Sequence, residues 1–290
     1  MDIKNLIFEG GGVKGIAYAG ALEVLQDQAI LDNVENVAGT SAGAITATLV
    51  ALNYRAETIK SIIIQLNFRK FEDGFNPFRL FTSYGFYKGN FFLAWIEERI
   101  SDIGLPKDIT FAQLAEKKIY KNLKLFATDL NDRNIQEFSV QTTPETKIAE
   151  AVRASMSIPL FFKAFQFSNA KPNNHIYVDG GVLYNYPLSI FNNLDQTIGF
   201  YLSNTNAPKK KDNLKFWQLI QYIKNVFDTL LQAQNIAFEE NKNLELHTVI
   251  INDLNVSATD FKLSQKTKLQ LIQQGKIATK KFLGINNLLD

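Results

Sequence analysis

The chain has 290 residues, with 31 lysines and arginines against 29 aspartates and glutamates. The resulting net charge of +2 gives no long-range field for DNA, RNA or an anionic membrane to exploit. Cysteine is absent, which excludes a disulfide framework, thiol catalysis and a thiolate metal site, and no apolar stretch is long enough for a membrane span.

Residues 4–8 form a short apolar run that reads as a strand, without the long apolar region of a signal peptide. It ends in Glu9 and the run Gly10-Gly11-Gly12. Ile16, Ala19, Leu22, Val24 and Leu25 then keep a helical rhythm as far as Gln28. The pattern repeats at once: 34–38 is a second apolar run, Gly39 to Gly43 a tight turn, and 44–53 suits a helix. Residues 57–66 predict another helix. Between 68 and 92 the periodicity dissolves. Phe71, Phe75, Phe78, Phe81, Phe86 and Phe91 are interleaved there with Gly74, Pro77 and Gly85. Long irregular segments of this kind are usually functional or mobile. The chain contains 23 phenylalanines and 10 tyrosines, so these rings either fill an aromatic core or form a lipid-facing lid.

A helix is expected at 92–100, strands at 123–128 and 135–140 around the turn Asn131-Asp132-Arg133-Asn134, and a helix at 146–156 before Pro159. A strand at 176–178 leads into Asp179-Gly180-Gly181. Beyond it come a strand at 198–202, a helix from 216 to about 240, a strand at 246–251 and a closing helix at 264–282. The cluster Lys209-Lys210-Lys211 reads as a solvated loop, with a phosphate patch as the alternative. Strands alternating with helices predict one α/β domain over 1–290 with a largely parallel sheet covered by helices on both faces. The chemistry-bearing motifs fall within 3–187, and 198–290 completes the fold.

Gly39-Thr40-Ser41-Ala42-Gly43 matches a G-x-S-x-G nucleophile elbow in its required context of strand, sharp turn and helix. The glycines suit a strained serine turn packed against neighbouring backbone, and the turn puts Ser41 at a helix N-terminus that favours developing negative charge. Gly10-Gly11-Gly12-Val13-Lys14-Gly15 lets backbone N–H groups turn toward an anion without side-chain obstruction. Its letters also satisfy G-x-G-x-x-G. The next strand, however, ends in the serine turn rather than in an acidic ribose-binding residue, and Lys14 is followed by glycine rather than serine or threonine. An oxyanion hole therefore fits better than a dinucleotide or phosphate loop. Asp179, with Gly180 and Gly181 behind it, is a carboxylate presented at a strand end. Taken alone it would also suit an ordinary turn.

Together these elements resemble the patatin-like phospholipases, whose pattern is a glycine-rich oxyanion loop, a G-x-S-x-G elbow and a later D-G-[GA]. Ala151 to Ser155, Ile158-Pro159, Phe161 and Asn185-Tyr186-Pro187 follow in the order that family shows, and the resemblance covers roughly 3–187. It implies a three-layer α/β/α fold in which Ser41 is the nucleophile and Asp179 the base of a catalytic dyad. The N–H groups of Gly11, Gly12 and Val13 would receive the oxyanion. Lys14 stands where the family commonly has a basic residue, for phosphate contact or for holding nearby carbonyls. The implied activity is hydrolysis of membrane-lipid esters through an acyl-enzyme, without metal or cofactor. The site of action is cytoplasmic with peripheral membrane contact, and leaderless secretion and a protein activator stay open.

Three rivals remain. An acyl-carrier transacylase would typically carry histidine where this chain has Thr40. A lipid-binding module would not need the dyad and loop together. A Ser-His-Asp hydrolase could recruit His247 or His175, the two histidines of the chain. Against it, the elbow follows a single earlier strand, His247 is expected inside a strand and His175 in a surface loop.

Overall fold

A computed structural model describes residues 2–203, 219–239 and 242–285. The lysine cluster at 209–211, and residues 216–218 of the expected helix, lie outside them. The strands are β1 (Asn5–Phe8), β2 (Asn36–Thr40), β3 (Gly85–Tyr87), β4 (Asn122–Asp129), β5 (Asn134–Phe138), β6 (Leu160–Phe162), β7 (Tyr177–Asp179), β8 (Thr197–Leu202) and β9 (Thr248–Ile251). The helices in the first half are α1 (Ala17–Asp27), α2 (Ala42–Ala51), α3 (Ala56–Gln65), α4 (Arg79–Ser83) and α5 (Asn90–Ser101). They are followed by α6 (Phe111–Glu116), α7 (Ile148–Ser155), α8 (Leu219–Glu239), α9 (Lys242–Glu245) and α10 (Gln265–Phe282).

Seven strands form a mostly parallel sheet in the order β5-β4-β2-β1-β8-β9, flanked by helices, with β7 also paired to β4. This is the expected α/β architecture, and the departures from it matter for the site. β5 and β7 both run antiparallel to β4. β2 pairs with β4 as far as Thr40 opposite Phe126, and β7 takes over the same flank with Asp179 opposite Ala127. The end of β2 and the end of β7 therefore meet head to head along one edge of β4. β1 has β2 on one side and β8 on the other, so the chain reverses its winding beside β1, where open α/β sheets form a crevice at the carboxyl ends of their strands.

β1 and β8 are buried throughout and β2 from Val37 on, which matches their near-continuous apolar runs. Phe8 of β1 stacks on Phe200 of β8 at 5.1 Å between centroids, and Tyr18 of α1 closes on both rings. In the C-terminal third α10 packs along α1, and β8 and β9 extend the sheet past β1.

Residues 68–92 are more ordered than their lost periodicity suggests. They hold a 3-10 turn at Phe68–Phe71, α4 and β3, which pairs with β6 in a separate two-stranded sheet. The rings of the segment divide between core and surface. Phe68, Phe71, Phe86, Tyr87 and Phe92 are buried, whereas Phe75, Phe78, Phe81 and Tyr84 are exposed. The short α6, which the sequence reading passed over, is held by a capping box of Thr110 and Gln113.

Candidate active site

The turn from β2 into α2 holds Ser41 at φ 52° and ψ −122°, a conformation that costs a non-glycine residue on the order of 1–3 kcal/mol and persists only where the surroundings enforce it. The enforcement is visible. A Cβ on Gly39 would overlap the Gly43 carbonyl, and one on Gly43 would overlap the Phe8 carbonyl, so strand and helix approach more closely than any side chain permits. Thr40 ties the strand end to the Tyr184 carbonyl through its hydroxyl, at 2.9 Å. The Ser41 N–H donates to Ser155 Oγ at 2.9 Å, and that hydroxyl donates to the Phe126 carbonyl at 2.6 Å. The last residue of α7 thus pins the elbow to β4.

Ser41 Oγ donates to Asp179 Oδ2 at 2.7 Å, and Met156 Sδ lies 3.5 Å from the same oxygen. The other carboxylate oxygen, Oδ1, accepts from the Gly181 N–H at 2.7 Å. The Asp179 backbone is fixed at both ends: its N–H donates to Ser157 O at 2.8 Å, and its carbonyl accepts from Thr128 Oγ1 at 3.1 Å. Gly180 lies so close to the Phe126 carbonyl and to Thr40 that a side chain there would displace them. The head-to-head meeting of β2 and β7 is what brings Ser41 and Asp179, 138 positions apart in sequence, within hydrogen-bond reach.

Both residues are buried, Asp179 completely. Burial pushes the Asp179 carboxyl up to about 7 from an ordinary 3.8, and the hydrogen bonds from Ser41 and Gly181 and the Arg153 charge only partly offset it. The buried Arg153 guanidinium donates to the carbonyls of Gly89, Lys88 and Lys163 and to Ser157 Oγ. It is a fixed positive charge that ties α7 to the β3–β6 sheet.

The glycine loop abuts the elbow. A Cβ on Gly10 would sit 3.1 Å from the Ser41 Cβ, and one on Gly15 would sit 2.9 Å from the Ala42 Cβ. The Gly10 N–H donates to Asn185 O at 3.0 Å. The Val13 N–H, expected to face an oxyanion with Gly11 and Gly12, donates instead to Ala258 O at 2.9 Å. Gly12 has φ +56° and faces the same carbonyl, which a Cβ would overlap. Among the described residues, the N–H groups of Gly11 and Gly12 meet no acceptor. Lys14, left open between phosphate contact and a structural role, pairs through Nζ with Asp253 at 3.0 Å.

Two residues behind the loop carry more than the sequence suggests. Glu9, fully buried at the end of β1, accepts from the Leu202 N–H at 2.6 Å and from Asn185 Nδ2 at 2.8 Å. Asn185 Nδ2 also donates to Gly10 O at 3.1 Å, so the pair anchors the loop. Burial raises the Glu9 carboxyl to about 8. An acidic residue directly before a glycine run was the available signal.

Neither histidine reaches the serine. His247 lies in the turn before β9 rather than inside the strand. Its carbonyl accepts from Gly199 N, toward the amino ends of the strands and away from the elbow, and its ring is 3.9 Å from Asp195. His175 Nδ1 is 2.7 Å from Asp129 Oδ2. Asp132 joins them in a cluster of potential metal-ligand spacing, but Asp129 Oδ1 is already taken by the N–H groups of Asn131 and Asp132, which closes the β4–β5 turn.

A family model described as "Patatin-like phospholipase" matches residues 6–192. Protein YqhO of Bacillus subtilis (strain 168) is 32% identical over 96% of this chain and 97% of its own length. A protein of invertebrate iridescent virus 6, described as "Probable lipid hydrolase 463L", is 26% identical over 94% of this chain and 86% of its own. Among solved structures, VipD from Legionella pneumophila shares the fold with a TM-score of 0.67 at 18% identity, covering 98% of this chain and 67% of VipD. ExoU, in its complex with SpcU from Pseudomonas aeruginosa, gives a TM-score of 0.54 at 17% identity, and this chain spans about half of it (51%).

Proposed function

The chain belongs to the patatin-like phospholipase family, and on that premise we propose that it is a lipid acyl hydrolase of the phospholipase A or lysophospholipase type, working through Ser41 and Asp179. The observation that carries this reading is the 2.7 Å hydrogen bond from Ser41 Oγ to a buried carboxylate at a strained elbow, which abuts a glycine loop whose Gly11 and Gly12 N–H groups meet no acceptor among the described residues. The viral relative described as a lipid hydrolase supports the same class.

Ser41 Oγ attacks the ester carbonyl as its proton passes to Asp179 Oδ2. An unperturbed aspartate is a weak base for an alcohol. A carboxyl held near 7 by a dry site is better matched to that transfer at neutral pH. The tetrahedral oxyanion is received by the N–H groups of Gly11 and Gly12. Asp179 then returns the proton to the leaving alcohol, leaving an acyl-serine. In the second half Asp179 takes a proton from water, hydroxide adds to the acyl carbonyl, and the fatty acid departs as the proton returns to Ser41.

The test is hydrolysis of mixed phospholipid vesicles and of a p-nitrophenyl acyl ester by the wild type and by Ser41→Ala, with products identified by mass spectrometry. Free fatty acid released by the wild type and abolished in the folded variant is expected. Retained activity in Ser41→Ala would remove the nucleophile assignment. Acyl groups appearing on an added alcohol rather than as free acid would make the protein a transferase.

A further inference from the structure

We propose that the exposed rings of α4 and the outer stripe of α8 form a docking surface for a phospholipid bilayer, set at the rim of the Ser41 site. This rests on the lipid-hydrolase reading for the identity of its occupant. Phe78 is 75% and Phe81 85% exposed, an arrangement that water penalises by the apolar area left uncovered.

The exposure is built rather than slack. Arg79 Nη1 donates to the carbonyls of Gly74 and Phe86, Asn76 N donates to Phe86 O, and Asn76 Oδ1 accepts from the Phe78 N–H. Phe75 stacks on the buried Phe86 at 5.6 Å. These bonds hold the short helix in place and leave Phe81, and Phe78 just before it, exposed.

The surface is joined to the chemistry through β3 and β6. Gly85 of β3 pairs with Leu160 of β6, and Leu160 is exposed, four residues beyond the Met156 that touches Ser41 Oγ. On the other flank α8 packs on β6 and on the turn Gly180–Val182. Its Gln234 Nε2 donates to the carbonyls of Gly181 and Val182. Ile223, Phe227 and Leu231 face inward from α8, while Tyr222, Val226 and Leu230 are exposed at the same helical spacing. A helix with one apolar stripe buried and another in water has a second partner to meet.

The chemistry of that partner is indicated by charge. Lys88 and Lys163 are exposed, and their carbonyls are held side by side by one buried guanidinium, that of Arg153. The Lys88 side chain runs along Gly74, whose carbonyl Arg79 holds at the base of α4. Two exposed lysines directly after β3 and β6 suit phosphate headgroups above an acyl layer. The described residues include no helix able to cross a membrane, so the contact is with one face of the bilayer.

The experiment measures co-sedimentation of Ser41→Ala protein with phosphatidylcholine vesicles, so that binding is read without turnover. Phe78→Ser with Phe81→Ser in that background should weaken vesicle binding by about 100-fold, because two largely exposed rings lose their insertion. In the active enzyme the same pair should depress hydrolysis on vesicles while leaving a soluble short-chain ester and the melting temperature unchanged. Phe81→Trp should retain binding and shift its fluorescence to the blue when vesicles are added. Unchanged sedimentation of the serine pair would overturn the proposal. So would a dimer of the parent protein that the serine pair abolishes, since a second copy would then cover the patch, and so would a fall in melting temperature with both activities lost. Docking without any ester cleavage would refute the hydrolase reading and leave the surface standing.

Discussion

Asp179→Asn separates the chemical role of the carboxyl from its effect on stability. The amide keeps the shape and one acceptor oxygen for Ser41 Oγ or the Gly181 N–H, but it cannot take a proton. Hydrolysis should fall by roughly the 10²–10⁴-fold typical of losing a general base. Stability should move the other way. The folded carboxyl sits at about 7 against an ordinary 3.8, so the folded state keeps a proton that the unfolded chain releases between those values. Folding of the wild type therefore weakens as pH rises through that window, by about 1.4 kcal/mol per unit and on the order of 4 kcal/mol in all. Asparagine does not titrate. The stability difference between variant and wild type should grow in the variant's favour from about pH 4 to about pH 7 and level off above it. Glu9, itself raised to about 8, weakens both proteins alike over its own range, so it cancels in the difference. Even with one hydrogen bond lost, worth about 1 kcal/mol, Asp179→Asn should outlast the wild type in urea at pH 8. The assay is urea unfolding of both proteins from pH 5 to 8, alongside the pH profile of kcat/KM, which should rise as the carboxyl ionises near 7. Parallel stability curves for the two proteins would refute the reasoning, because they would mean that Asp179 is not held out of water.

Ser155→Ala should lower urea stability by about 1–3 kcal/mol, since the Ser41 N–H and the Phe126 carbonyl lose their shared buried partner. Its kcat on a soluble ester should fall more than its KM rises, because the hydroxyl positions the elbow without touching substrate. His175→Ala and His247→Ala should both stay active on that ester, as neither ring approaches Ser41. A folded but inactive His247→Ala would mean that a third group serves the dyad.

The parts of the site legible in the sequence are those where backbone alone sets the requirement. Gly39 and Gly43 are demanded by carbonyls that leave no space for a Cβ, and Gly12 by a positive φ beside Ala258. Such needs leave a local mark because no other residue meets them. Asp179 was legible through the glycines behind it. The distance between it and Ser41 was not, because that depends on β7 continuing the flank of β4 where β2 stops, a pairing with no local signature. The Val13 N–H was misassigned for a related reason: its acceptor, Ala258, lies 245 positions downstream, in a part of the chain where no motif guides the reading.

Phenylalanine shows the same limit from the other direction. Phe71 and Phe81 are ten positions apart in one aromatic segment and indistinguishable by composition, yet the first is buried among Phe68, Phe91, Phe92 and Trp95 and the second stands in water. Between them in sequence lies Arg79, whose guanidinium joins the Gly74 and Phe86 carbonyls at the base of α4. A charged residue in an apolar run reads locally as solvated surface. Here it braces the segment that carries the exposed rings, and its partners are backbone carbonyls that no residue pattern reveals.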